Sequence, residues 1–313
     1  MTEYQAVLLI GFGGPTSTKE IQPFLANVLE GRKVPKERIE EVIRHYQAIG
    51  GKSPFNDLTF KQAKGLRQTL NKEGIKLPVY VGMRNWHPFL KDILEIMSKD
   101  GIDNVIGIIL APHQGEASWG RYQTAIQRSK ESLQQEKGCK TPTVHYCKPW
   151  FVHPLFIEAM VDQLQSKAEN IPVHLRHQTK ILFTAHSVPQ NLSNPYVEQL
   201  LKSCRAIASR LDGFGDWNLV YQSRSGNPRQ PWLEPDVCDV ITDLAKADCQ
   251  SVLLSPVGFV CDHVEVLYDL DVEARQIAQG VNVRFYRACT VNDHPSFLRM
   301  LANVVKQILQ KEH

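Results

Sequence analysis

KILFTAHSVP, residues 180–189, has the form of a buried parallel strand: an apolar, β-branched run that breaks at a polar turn and a proline. Residues 6–15, AVLLIGFGGP, repeat that form, and the two align so that His186 takes the place of Phe12. Working outward, NVIGIILAP (104–112) matches SVLLSPVGF (251–259) through Ala111-Pro112 and Ser255-Pro256. His153-Pro154-Leu155-Phe156 and His294-Pro295-Ser296-Phe297 then open matching helices. Two like βα units in tandem are the simplest account. Short apolar runs lie near residues 5–11, 78–83, 104–111, 142–147, 179–185, 218–223, 251–257 and 282–286, each followed by a stretch of helical period. They predict an α/β protein with two similar domains, residues 1–150 and 151–313, each a four-stranded parallel sheet flanked by helices. The last helix can pack back on the first domain.

The halves differ in one respect. Pro189 lies 174 residues after Pro15, but Pro256 lies 144 after Pro112 and His294 lies 141 after His153. The first half therefore carries about 30 extra residues behind its first strand, far more than an ordinary connection. They read as two helices, Thr18–Glu30 and Pro35–Ala48, with a break at Gly50-Gly51-Lys52-Ser53-Pro54. An insertion at the carboxyl end of a strand sits where α/β proteins bind ligands, so residues from about 16 to 60 are expected to form a lid. Its second helix sets Ile39, Val42, Ile43 and Tyr46 against Lys36, Arg38, Glu40 and Glu41. Such a face packs on the body of the protein, lies on a membrane surface or covers a ligand.

Composition narrows the classes. With 313 residues, 42% hydrophobic and 22% charged, the chain is of ordinary globular make-up and long enough for two domains. Its longest apolar stretch, Val105 to Pro112, falls far short of the roughly 18 residues a membrane span needs. Met1-Thr2-Glu3-Tyr4 has no signal-peptide character, so a cytoplasmic location is expected. Thirty-six basic against 33 acidic residues leave a net charge of +3 without clustering, which argues against nucleic acid as a partner. The seven cysteines never come closer than eight residues, which excludes zinc-finger spacing and suggests reduced, mostly buried thiols.

Chemistry concentrates at strand ends. GFGGP fits neither GxGxxG nor the P-loop pattern and reads as a tight strand-to-loop turn. His186 ends an apolar strand, where an imidazole is either a satisfied core residue or a group that takes protons or ligates a metal. A helix starting near Asp262 would place Glu265, Asp269 and Glu273 on one face, each step drifting about 40°. Like charges at that spacing cost a few tenths of a kcal/mol per pair, so a solvated face or an offsetting cation is implied. His186 and the His263/Glu265 pair follow strands that are neighbours in most doubly wound sheets, and a histidine with a carboxylate suits divalent-metal and proton handling. No G-x-S-x-G elbow or HExxH motif is present. Met83-Arg84-Asn85-Trp86, Tyr221-Gln222-Ser223-Arg224-Ser225 and Trp232 add aromatic and cationic groups suited to a flat aromatic ligand bearing carboxylates.

LLIGFGGP, HYQAIGGKSP, TAHSVP, YQSRSGNPRQPWLEPDV and PVGFVCDHVEVLYDLDVEA occur in this order, and with them the chain resembles the ferrochelatases, particularly the short soluble bacterial type, over essentially its whole length. The resemblance implies two Rossmann-like domains with a porphyrin cleft, and insertion of ferrous iron into the porphyrin in haem biosynthesis with release of two protons. No organic cofactor is implied, and iron is the substrate. It assigns His186 to metal handling, Glu265 to the carboxylate across the ring and His263 to the DHxE motif, with Asp269 and Glu273 in an acidic path for the metal. Phe12, Ser53, Arg84, Tyr122, Ser223 and Trp232 then contact porphyrin.

There are departures. Phe12 stands where coproporphyrin-type members typically carry a tyrosine, and it has no ligating atom. His45 stands where relatives often carry an arginine. The chain ends at His313 without a cysteine-bearing tail, so no iron-sulfur cluster is expected. The polar lid, with Arg32, Lys33, Lys36, Glu37 and Arg38, favours coproporphyrin III over protoporphyrin IX. A monomer with a transient iron donor or haem acceptor is expected. A cobalt or nickel tetrapyrrole chelatase, or a non-catalytic porphyrin or haem carrier, is the alternative.

Overall fold

The computed structural model describes residues 3–31, 34–225 and 230–310. Met1, Thr2 and His313, the lid residues Arg32 and Lys33, and Gly226, Asn227, Pro228 and Arg229 of the quoted motif lie outside the described residues.

The chain runs β1 (Ala6–Gly11), α1 (Ile21–Val28), α2 (Lys36–Ala48), α3 (Phe55–Lys72), β2 (Val79–Met83), α4 (Leu90–Lys99), β3 (Asn104–Ile109), α5 (Arg121–Lys137) and β4 (Thr143–Tyr146). It continues through α6 (Pro154–Ala168), α7 (Val173–Arg176), β5 (Lys180–His186), α8 (Tyr196–Ala208), β6 (Trp217–Gln222), α9 (Val237–Lys246) and β7 (Ser251–Ser255). Last come α10 (Val264–Leu267), α11 (Arg275–Gly280), β8 (Arg284–Arg287) and α12 (Pro295–Gln310). The strands form two parallel four-stranded sheets of the same order, β2-β1-β3-β4 and β6-β5-β7-β8, each flanked by helices in the Rossmann-like manner. Every expected strand is present.

Two compact units result. One holds residues 1–111, 116–150 and 293–313, the other 112–115 and 151–292. The helices opened by the His-Pro pairs thus change units: α12 packs on α3 in the first, and α6 on α8 in the second. Both start alike, because the Nδ1 of His153 accepts from the Leu155 amide at 3.2 Å and that of His294 from the Ser296 amide at 3.3 Å. A proline at the first helical position leaves that capping geometry undisturbed.

Central strands are buried on both faces, so they read as unbroken apolar runs. Ala6, Leu8 and Ile10 pack with Leu94, Met97, Val105 and Ile126 in one core. Leu182, Val220, Val252 and Leu254 pack with Ile241, Leu270 and Ala274 in the other.

Three expectations need correcting. The first lid helix is shorter than Thr18–Glu30: a single 3₁₀ turn at Thr18–Glu20 precedes α1, which ends at Val28. Second, residues 262–274 do not form one α-helix. A four-residue α-turn, α10, leads into a π-helical stretch, Asp269–Ala274, in which the Glu273 amide donates to the Tyr268 carbonyl five residues back at 2.9 Å. The wider π turn makes the four-residue step from Asp269 to Glu273 fall short of a full turn, where an α-helix overshoots by about 40°. Third, the thiols are not mostly buried. All seven are free, but only Cys147, Cys204 and Cys261 are buried, and Cys289 is exposed.

Among the described residues, no helix is long and apolar enough to cross a membrane. In the inserted stretch, Tyr46 is the buried residue of α2, while Ile39, Val42 and Ile43 are half-buried.

Candidate active site

In the second unit β5 lies between β6 and β7, so the carboxyl ends of three strands converge. His186, the last residue of β5, pairs with Gln222, the last of β6. The loop after His186 is tied down by its backbone and by Ser187. The Ser187 amide donates to the Gln222 carbonyl at 2.8 Å, its hydroxyl to the Leu233 carbonyl at 2.9 Å, and Pro189 bridges Trp232. Below it, the phenol of buried Tyr196 donates to the His186 carbonyl at 3.3 Å. Burial pushes the Tyr196 hydroxyl well above the ordinary phenol range, so it remains a donor.

The His186 Nδ1 contacts the Ser187 carbonyl oxygen. A carbonyl only accepts, so Nδ1 carries the proton and, in the neutral ring, Nε2 carries the lone pair. That nitrogen faces Glu265 Oε1 at 3.7 Å. The other carboxylate oxygen faces the His263 Nε2 at 3.6 Å. These separations are too long for hydrogen bonds but short enough for strong through-space coupling. Glu265 therefore stands between two imidazoles, with about a third of its side chain exposed. Burial holds the His263 imidazole below its ordinary range; the Glu265 and Asp262 carboxylates oppose that shift and His186 adds to it.

A proton acceptor on a strand end, a carboxylate opposite it and a second imidazole behind can accept protons in sequence, or make passing contacts to a divalent cation. Asp269 accepts a hydrogen bond from the Ser223 hydroxyl. Ser223 itself has φ of 62°, the left-handed region, which turns the chain sharply at the end of β6. Glu273 is exposed farther along the π stretch. Among the described residues, no group of three or more His, Cys, Asp and Glu side chains is arranged to hold a metal ion.

The first unit presents different groups at the equivalent edge. Gly13, with φ of +87°, folds the GFGGP loop back against Trp86, and Gly14 sits where a Cβ would stand 2.8 Å from that of Ser53. Asn56 clamps the loop through both backbone groups of Gly14, at 3.0 and 3.1 Å. Phe12 follows β1 and touches the ring of Phe24 on α1. The Arg84 guanidinium lies 5.0 Å from the Phe12 ring centroid and 5.2 Å from that of Tyr122, a cation held between two aromatic faces. Ser53, Tyr122 and Trp232 are 3%, 6% and 8% exposed, so each is largely covered. Phe12, Arg84 and Ser223 are partly exposed. His45 lies on α2, 3.8 Å from Glu41, with burial holding its pKa below the ordinary value.

Sequence reasoning included Gln222 in the Tyr221–Ser225 cleft stretch but gave it no role of its own. Its side-chain amide donates to the Glu265 backbone carbonyl, linking the end of β6 to the turn that carries the carboxylate. Its position beside Ser223 at a strand end was the available signal. Tyr196 was also missed, because nothing local marks a tyrosine ten residues downstream as the support of His186.

The Ferrochelatase family model matches residues 4–309 of this chain. A ferrochelatase from Rhodopirellula baltica is 40% identical over 311 residues, covering 98% of this chain and 87% of the relative. A coproporphyrin III ferrochelatase from Nocardia farcinica is 38% identical over 315 residues, covering 97% and 88%. Among solved structures, SirB from Bacillus subtilis with Fe3+ superposes with a TM-score of 0.57 at 14% identity, covering 97% of this chain and 95% of that one, a likeness of fold. The chain belongs to the ferrochelatase family.

Proposed function

We propose that this chain is a metal-chelating lyase that inserts ferrous iron into coproporphyrin III, a step of haem biosynthesis. The carrying observation is the placement of Glu265 between the Nε2 atoms of His186 and His263, at 3.7 and 3.6 Å. A free-base porphyrin holds two N–H protons in its ring plane, and both must leave as Fe2+ enters. The lone pair on His186 Nε2 and the Glu265 carboxylate are the chain's acceptors for them, or the last ligands the iron leaves. His263, its imidazole held below the ordinary range by burial, stands 3.6 Å behind Glu265 as a second acceptor. Asp269 and Glu273 offer oxygen ligands along the approach of the ion.

In this reading the substrate's carboxylates are met by Arg84, which Phe12 and Tyr122 preorganise by holding its guanidinium between their rings. Ser53 and Trp232 back the loops that carry Phe12 and His186, and Ser223 faces the substrate edge. Binding energy collected there bends the ring enough to expose its nitrogens. Coproporphyrin, with more carboxylates than protoporphyrin, gains more from a guanidinium and a polar lid, and the Nocardia farcinica relative carries that substrate in its name.

The test is anaerobic mixing of the protein with ferrous iron and either coproporphyrin III or protoporphyrin IX, followed by the absorbance change of metallation. Multiple turnovers with a preference for coproporphyrin are expected. Stoichiometric porphyrin binding without turnover would instead make the chain a carrier, and turnover restricted to cobalt or nickel would make it a different chelatase.

A further inference from the structure

The turn that presents His263 and Glu265 has little regular structure to hold it. It consists of the four residues of α10 and their flanks, with the Val266 and Leu267 amides both donating to the His263 carbonyl, at 3.0 and 2.8 Å. Its two ends, however, carry aspartates that converge on one residue from outside the segment. Arg287 closes β8, and its Nη1 donates to Asp262 Oδ1 at 3.1 Å. Its Nε donates to Asp271 Oδ1 and Oδ2 at 3.0 and 3.1 Å, and its Nη2 reaches the same carboxylate. Asp262 precedes His263, and Asp271 follows Asp269, so the guanidinium spans the segment that carries His263, Glu265 and Asp269.

The surroundings make this more than a surface ion pair. The Arg287 side chain is 9% exposed, and those of Asp262 and Asp271 are 14% and 23% exposed. Asn292 secures Asp262 further, donating to its Oδ2 at 3.2 Å and accepting from its backbone amide at 3.0 Å. Arg275 donates to Asp271 Oδ1 at 3.2 Å. Two carboxylates addressed at once, in different directions, suit a planar guanidinium and not the single point charge of a lysine. From the opposite flank, Gln222 holds the Glu265 carbonyl. β6 and β8 thus grip the stretch from both sides.

We infer that Arg287 is a positioning residue: by tying Asp262 to Asp271 it fixes the turn that holds Glu265 against His263 and His186. The inference rests on the proposed role of Glu265 as a reacting group. Arg287 touches neither imidazole ring and takes no proton. It sets where the carboxylate stands, and partners of reacting or ligating groups commonly change activity 10- to 100-fold when altered.

The experiment uses the full chain with Arg287→Lys and, as a milder variant that keeps the guanidinium, Asp271→Asn. Amide hydrogen exchange at Val266, Leu267 and Tyr268 is measured without substrate, with β5 amides as internal reference. Steady-state iron insertion into coproporphyrin III is measured alongside. In Arg287→Lys the three amides should exchange about tenfold faster with β5 unchanged, and kcat should fall about tenfold with KM for porphyrin held within about twofold. Asp271→Asn should move both readouts the same way by less. Parental exchange and kcat in both variants would overturn the inference. So would faster exchange in β5 and the turn together, which marks a general structural residue, or a loosened turn with parental kcat. If the parent itself does not turn over but the turn loosens selectively, Arg287 still sets the turn and the iron-insertion reading is what fails.

Discussion

The two units solve one folding problem twice and then diverge at one edge. Both sheets have the same order, and Leu8 in β1 and Leu182 in β5 occupy matching, fully buried positions. Just past them, the first unit has Phe12 stacked with Arg84, whereas the second has His186 paired in register with Gln222. In register, Phe12 matches His186 and Arg84 matches Gln222. One edge therefore offers an aromatic face and a fixed positive charge, the other an imidazole lone pair and a carboxylate. The difference teaches that duplication preserved the strands, whose burial permits little change, and left strand ends to specialise.

The strongest way to break this contrast is to exchange its members. His186→Ala should lower kcat by about 10²- to 10⁴-fold, the range for losing a positioned acid–base group, while Phe12→Leu should change kcat by less than about fivefold. Steady-state metallation of coproporphyrin III checks both; equal losses would erase the distinction between the edges. The matching interiors supply the next test. Leu8→Ala and Leu182→Ala should each destabilise their unit by about 2–5 kcal/mol, and by similar amounts, in urea unfolding.

Arg84→Ala should raise KM for coproporphyrin about tenfold, as expected for a lost charge-assisted hydrogen bond, with kcat little altered. A kcat effect as large as that of His186→Ala would place Arg84 in the chemistry and sink the division of labour.

The last test concerns His113, which lies in the second unit but outside the proposed chemistry. Buried between Phe151 and Tyr196 and 2.9 Å from the Ser203 hydroxyl, its imidazole is held down to about 3 by burial. The unfolded chain binds that proton near pH 6.5. Below about pH 6.5 the unfolded state therefore binds more protons, and stability falls as pH drops toward 3, by up to about 1.4 kcal/mol per pH unit from this group. His113→Gln should make that fall shallower in denaturant melts taken across the range. An unchanged slope would assign the acid sensitivity elsewhere.

Much of this architecture was legible in the sequence, for identifiable reasons. Strands buried on both faces write themselves as apolar runs, so β1, β3, β5 and β7 were readable along with the repeat that relates them. His186 and Glu265 were readable as a pair because strand order brings the ends of β5 and β7 together. The π stretch at Asp269–Ala274 was not, because a four-residue spacing of acidic residues suits α and π geometry alike. The contacts of Arg287 and Gln222 were hidden for another reason. Their partners lie 25 and 43 residues away, and no local pattern records a contact made by tertiary folding. Likewise, the cover over Ser53, Tyr122 and Trp232 is a product of tertiary packing, which residue type does not announce.

The most direct test of the central claim is Glu265→Gln, which keeps the side-chain shape and removes the carboxylate between the two imidazoles. Coproporphyrin III affinity and single-turnover iron insertion would be measured on the same anaerobic sample by absorbance. The account predicts affinity within about twofold of the parent and an insertion rate lower by at least about 10²-fold. Insertion at the parental rate would contradict it, since the carboxylate would then be neither proton acceptor nor metal contact.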